Sequence, residues 1–186
     1  MSDDRHDKHT SALLQSLFRH KAWVDEGFHA QLAKVDAERY PDERRTAIRL
    51  LNHVHVVDRI FAAHLTGQPH GYSATNTAET PALDALRDAV AESDRWYIAY
   101  VGELAPQALE QSIEFVFTDG ANGRMTRAEM LAHVATHGSY HRGEVGRILT
   151  QVGVAPPRDL YTVFLHQSEP GRRVATASSG PTSSAS

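Results

Sequence analysis

The segment "HVATHGSYHRGE" at 133–144 sets histidines at 133, 137 and 141 among small and apolar neighbours. On a helix, residues four apart share a face at a separation of about 6 Å. Two imidazoles so placed can ligate one metal ion. A third from a facing helix would complete a three-histidine set that leaves coordination positions open for water or substrate, as catalytic sites do and closed structural sites do not. The competing reading is a helix whose histidines only pack or sit at its surface.

Stepping residues at about 100° sorts the candidates. Around 133–144 the apolar arc comprises Met130, Leu131, Val134, Val145, Ile148, Leu149 and Val152. His137 and His141 fall within this arc or at its edge, His133 lies toward its margin, and Tyr140 points away. Gly138 shares the arc, where a missing side chain permits close approach or leaves room for a ligand. Upstream, in "RLLNHVHVVDRIFAAHL", Leu50, Val54, Val57 and Phe61 define a buried face with Ile60 at its flank. His53 and His64 lie on that flank, whereas His55 points the opposite way, near Asn52 and Arg59. His20, His29, His64 and His166 read as surface or locally hydrogen-bonded histidines. Arg142 reads either as a solvated charge or as a contact for an anionic substrate beside the site.

Other chemistry finds little support. HExxH, GxSxG, Walker A and GxGxxG patterns are absent, and Ser139 sits between two candidate ligands on the helix. Glu26 and His29 form one ExxH, but a bundle-type di-iron centre needs two, with further carboxylates. Trp23, Trp96 and the phenylalanines read as core packing.

The elements that must position the histidines are helical. Thr10 or Ser11 is expected to cap a first helix, with Leu13, Leu14, Leu17, Phe18, Trp23, Phe28 and Leu32 on its apolar face to about Val35. Pro41-Asp42-Glu43 opens a second helix that stops at Gly67. The stretch 68–79 is rich in turn formers and reads as a loop. Thr80-Pro81 opens a third helix running to about Leu104. "IEFVFTDGANGRM" alternates around a DG turn, predicting two short strands or an extended hairpin. "TRAE" at 126–129 matches a capping box for the fourth helix, which runs to about Val152, and a short helix is expected around 158–166. The fold class is therefore all-α, a four-helix bundle with a short extended hairpin before the last long helix. Residues 1–9 are expected to form a flexible N-terminus, 10–167 the bundle domain and 168–186 a disordered C-terminal tail.

Composition narrows the function. The 186 residues include 12 histidines and no cysteine, which excludes disulfides, thiolate zinc sites and a cysteine nucleophile. The formal net charge of −4 comes without any dense Lys/Arg block, so no nucleic-acid partner is expected. No apolar run approaches the roughly 20 residues of a membrane span, and the polar start lacks a signal-peptide core. A cytoplasmic location and a small-molecule substrate are the expectations.

The stretches "LLNHVHVVDRIFAAHLTG" (50–67) and "HVATHGSYHRGEVGRILTQVGVAPP" (133–157) resemble the DinB/YfiT-like superfamily of bacterial metal-binding four-helix bundles, distinct from the DNA polymerase that shares the label. "HKAWVDEGFHAQL" (20–32) is similar to the family's first helix, and the likeness spans about 10–166. The resemblance implies a metal held by His53, His137 and His141, up-down-down-up topology, a divalent ion such as zinc or nickel, and homodimers. Glu144 stands where the family usually has glutamine, and Tyr140 where a second histidine is common. Members with assigned activity resemble transferases or isomerases dependent on low-molecular-weight thiols such as bacillithiol, mycothiol or glutathione. A metal ion lowers the pKa of a thiol, and a chain without cysteine needs that thiol as a cosubstrate. The expected function is thus metal-dependent thiol transfer to an electrophile. The alternatives are a non-catalytic metal-binding or stress-related protein, or a metal-dependent hydrolase. The hydrolase would want a general base near the metal, and no inward carboxylate beyond Glu144 is apparent.

Overall fold

The computed structural model describes residues 3–173. They are mostly helical: α1 (Asp3–Leu32), α2 (Pro41–Thr66), α3 (Leu83–Glu103), α4 (Arg127–Gln151) and the short α5 (Tyr161–Ser168), with one antiparallel hairpin of β1 (Ser112–Val116) and β2 (Asn122–Thr126). Short 3-10 turns occupy Pro106–Glu110 and Pro170–Arg172. The expected tail lies outside the described residues from 174 onward, as do residues 1 and 2 of the expected lead-in.

Local chemistry accounts for most boundaries. Pro41 occupies the first turn of α2 with Asp42 and Glu43, and Gly67 closes it in the left-handed region at φ 67°, which favours glycine. Thr126 ends β2 and caps α4 at once. Its hydroxyl accepts from the Glu129 amide, while the Glu129 carboxylate accepts from the Thr126 amide at 2.7 Å. The hairpin turns through Asp119-Gly120, with Ile113 opposite Met125 and Phe115 opposite Gly123.

Three expected boundaries move. Helix α1 begins at Asp3, so Thr10 and Ser11 lie inside it rather than at its cap; neither glycine nor proline interrupts the preceding residues. It ends at Leu32, short of Val35. Helix α3 begins at Leu83 after an extended Ala82, leaving Thr80-Pro81 in the preceding loop.

Helix α1 packs against α3 and α4, and α2 against α4 and α3. Two apolar clusters fill the interior. One, at the hairpin end, gathers Phe18, Phe61, Tyr97, Met130 and Val134; the other gathers Phe28, Leu32, Ile48, Leu51, Val145 and Leu149. Leu13, expected on the apolar face of α1, is half exposed.

Near the junction of the two clusters lies a buried ionic layer to which every long helix contributes. The Lys21 ammonium donates to Asp25 at 2.9 Å, Asp58 at 2.8 Å and Asp94 at 2.7 Å, so residues of α1, α2 and α3 meet on one charge. Arg142 of α4 joins them, donating to Asp25 at 3.0 Å and to Asp159 at 2.8 Å. Burial would drive the Lys21 charge off, but the three carboxylates outweigh it and hold its pKa well above the usual lysine value. One ammonium cannot ionise all its partners. Burial lifts Asp58 to about 6 and Asp94 to about 7, while Lys21 and Arg142 together overcome burial at Asp25 and hold it low.

Candidate metal centre

Helical periodicity on α2 and α4 turns His53, His137 and His141 toward one another, and one ligating nitrogen from each lies within 4.8 Å of the others. Among the described residues no other set of three histidines, aspartates or glutamates is placed to hold a metal ion. The His53 and His137 Nε2 atoms are 3.1 Å apart, and the His53 ring stands edge-on to both partners.

The outer contacts decide which nitrogens face inward. His53 Nδ1 donates to the Thr75 carbonyl at 2.7 Å, and His141 Nδ1 donates to the Glu144 carboxylate at 2.6 Å. Each bond fixes the tautomer and leaves Nε2 as a lone pair aimed at the centre. His137 differs: its Nδ1 is buried with no hydrogen-bond partner among the described residues. Burial, then the His141 and His53 rings, pushes the His137 pKa down to about 3, so its ring is neutral at ordinary pH.

These observations fit a divalent ion. Inward nitrogens as close as 3.1 Å are satisfied by one shared proton or by one cation between them. Tetrahedral ligation at about 2.0–2.1 Å sets ligand nitrogens about 3.3 Å apart. Three imidazole ligands also leave a coordination position for a further ligand.

The loop 68–79 supplies the Thr75 carbonyl and is itself pinned by α2. The Asn52 amide donates to Thr77 Oγ1 at 2.7 Å and to the Asn76 side chain. Asn76 donates back to the Arg49 carbonyl at 3.0 Å, and Arg49 donates to the Thr77 carbonyl at 3.0 Å. Asn52 is buried at the residue before His53, which couples the fastening of the loop to the ligand it steadies. Periodicity had placed Asn52 away from the site. Its position beside His53 was the signal; its partners, about 25 residues on, carried none.

Other expectations are corrected. Arg142 is no solvated charge: it is 1% exposed, and Asp25 of α1 and Asp159 of the segment before α5 take up its guanidinium. Gly138 leaves room for that residue, because a Cβ there would lie 2.9 Å from Arg142 Nη1 and 3.7 Å from Lys21 Cε. Inward carboxylates do exist, at Asp25, Asp58 and Asp94, but they are engaged by Lys21. His20 and His29 are both buried rather than at the surface, and His29 is locally hydrogen-bonded, as the second form of that expectation has it. His20 Nε2 lies 3.3 Å from an Asp159 oxygen without a hydrogen bond, and His29 Nδ1 donates to the Asp25 carbonyl at 2.8 Å. His166 is locally bonded to the Thr162 carbonyl, as expected. His55 faces α3, where burial, then Arg59, lowers its pKa to about 4. Tyr140 is exposed, in line with its outward position.

Beside His53 and His137 opens a cavity of about 340 Å³ that reaches His64, His133 and the hairpin. The His133 ring lies 4.6 Å from Phe61 and 5.3 Å from His137. Phe117, expected in the core, is half exposed at the wall of this cavity. No helix among the described residues is long and apolar enough to cross a membrane.

The DinB family model matches residues 1–173. Protein DinB of Bacillus subtilis (strain 168) is 21% identical over 163 residues, spanning 82% of this chain and 94% of that protein. No solved structure matches.

Proposed function

The chain belongs to the DinB family, and from that premise we propose that it is a metal-dependent enzyme which joins a low-molecular-weight thiol to an electrophile. The observation that carries the reading is the convergence of His53, His137 and His141 beside an open cavity, in a chain without cysteine. Zinc or nickel suits an all-imidazole donor set. The reading includes an up-down-down-up bundle, a homodimer and a cytoplasmic setting.

A divalent ion held there supplies Lewis acidity that lowers the pKa of a thiol and so provides thiolate near neutral pH. The chain does the positioning. Thr75 and Glu144 orient two of the ligands, and the largely apolar walls of the cavity flank the reacting atoms. In the transfer, the thiol proton passes to solvent and a sulfur lone pair forms the bond to the electrophilic carbon. The displaced electron pair leaves with the departing group, or moves to a neighbouring atom that takes up a proton. Arg142 serves this site by holding α4 to α1 and not as a contact for substrate. Hydrolysis is the weaker reading, because the carboxylate nearest the three histidines, Glu144, is committed to His141.

The test is metal content of the purified chain beside His137→Ala and His141→Ala. About one divalent ion per chain, lost in both variants, is expected, followed by metal-dependent conjugation when thiols are screened with electrophiles. A wild type that takes up no zinc, nickel or manganese would sink the proposal.

A further inference from the structure

The cavity beside the three histidines has no Asp, Glu, Lys or Arg in its lining. Its far wall is the hairpin, whose alternation puts Phe115 and Phe117 on the face that also carries Met125 and Gly123. Phe115 stands 4.9 Å from the His64 ring and 4.8 Å from Phe117, measured between ring centres. Phe61 of α2 closes the same aromatic box, 6.1 Å from Phe115.

Gly123 sets the position of this wall. A Cβ at 123 would lie 2.6 Å from Phe115 Cζ and 2.8 Å from Phe117 Cε2, closer than real contacts allow. Both rings therefore lie across the glycine. Gly123 is not among the glycines with positive φ, so an alanine would move the rings without straining the backbone.

We propose that this cavity binds the electrophilic substrate and selects uncharged, apolar or aromatic molecules, with Phe115 and Phe117 as specificity-determining residues seated over Gly123. The inference rests on the thiol-transfer reading for its chemistry, since His53 and His137 form the inner end of the cavity. A volume of about 340 Å³ lies in the range of small-ligand pockets and admits a molecule of two or three rings. A carboxylate or phosphate lodged against the aromatic box would lose its hydration with no charged side chain in the lining to replace it, and the charge of an ion at the inner end is taken up by the thiolate.

The experiment uses zinc-treated full-length protein with 2-mercaptoethanol present to fill the ion's open position, and the uncharged dye N-phenyl-1-naphthylamine, whose fluorescence rises on burial, beside its sulfonated analogue. Zinc content is measured on the same samples. The uncharged dye is expected to bind at least about tenfold more tightly than the sulfonate. Phe117→Ala and Gly123→Ala are each expected to weaken it about three- to tenfold, the contribution of a lost or displaced aromatic contact, with zinc content unchanged. Phe117 is 45% exposed, so its truncation leaves the fold intact if Gly123→Ala does not. Equal or tighter binding of the sulfonate, or dye binding indifferent to both variants, overturns the assignment. Dye binding with this variant dependence in a chain that takes up no zinc supports the selectivity of the cavity while removing the metal-dependent reaction. Zinc uptake without variant-sensitive dye binding does the reverse.

Discussion

His53 donates through Nδ1 to the carbonyl of Thr75 at 2.7 Å, across 22 positions of sequence, and so presents Nε2 to His137 and His141. The loop that carries Thr75 is tied to the residue just before that histidine, Asn52. Ligand and support are thus held by adjacent side chains on one turn of α2.

Asn52→Ala should release the loop and, with it, the acceptor that fixes the His53 ring. Loss of such an outer contact costs roughly 10–100-fold in metal affinity, and zinc titration calorimetry should show a loss in that range. Wild-type affinity in the variant would mean that the Arg49 and Asn76 bonds hold the loop alone.

Glu144 gives His141 a charged acceptor where His53 has a neutral one. Glu144→Gln keeps an acceptor without the charge and should weaken zinc binding by up to about tenfold; Glu144→Ala should weaken it further, toward about 100-fold. Competition with a chelator reports both. A glutamine variant weaker than the alanine variant would contradict this ordering.

The Lys21 ammonium is held among three buried carboxylates from three helices. Lys21→Met keeps an unbranched side chain one atom shorter and removes the charge, leaving Asp58 and Asp94 uncompensated while Arg142 still holds Asp25. Loss of one partner of a buried pair costs about 3–5 kcal/mol, and urea denaturation should show a stability loss of that size. A variant within about 1 kcal/mol of wild type would show the carboxylates to be neutral without it.

Asp94 titrates in the folded state at about 7, against an ordinary value of 3.8, because burial outweighs its bond to Lys21. Between those values the folded chain binds more protons than the unfolded one, so this group's contribution to stability declines as pH rises from about 4 to about 7. Asp94→Asn keeps an acceptor for Lys21 and does not titrate. The melting temperature of the variant minus that of wild type should therefore become more positive from about pH 5 to about pH 8. A difference moving the other way would mean that the Lys21 pair dominates and Asp94 ionises early.

Much of this molecule follows from local chemistry written in order along the chain. The capping box at Thr126 and Glu129, the Pro41 opening, the Gly67 stop and the DG turn act through atoms a few residues apart, so sequence alone determined them. Periodicity also brought out His53, His137 and His141, because a helix of known pitch determines which side chains share a face. It could not supply what those faces meet. Lys21 and Asp94 are 73 positions apart, and Asp25 and Arg142 are 117 apart; each reads locally as an ordinary surface charge. Only the packing of four helices at one level gives these charges their partners. The same packing turns a backbone carbonyl at Thr75 toward His53 and lays two phenylalanines over a glycine at the mouth of the site. Burial has a period that one helix can show, whereas contact between elements depends on how far each slides against the next, and that is decided in three dimensions.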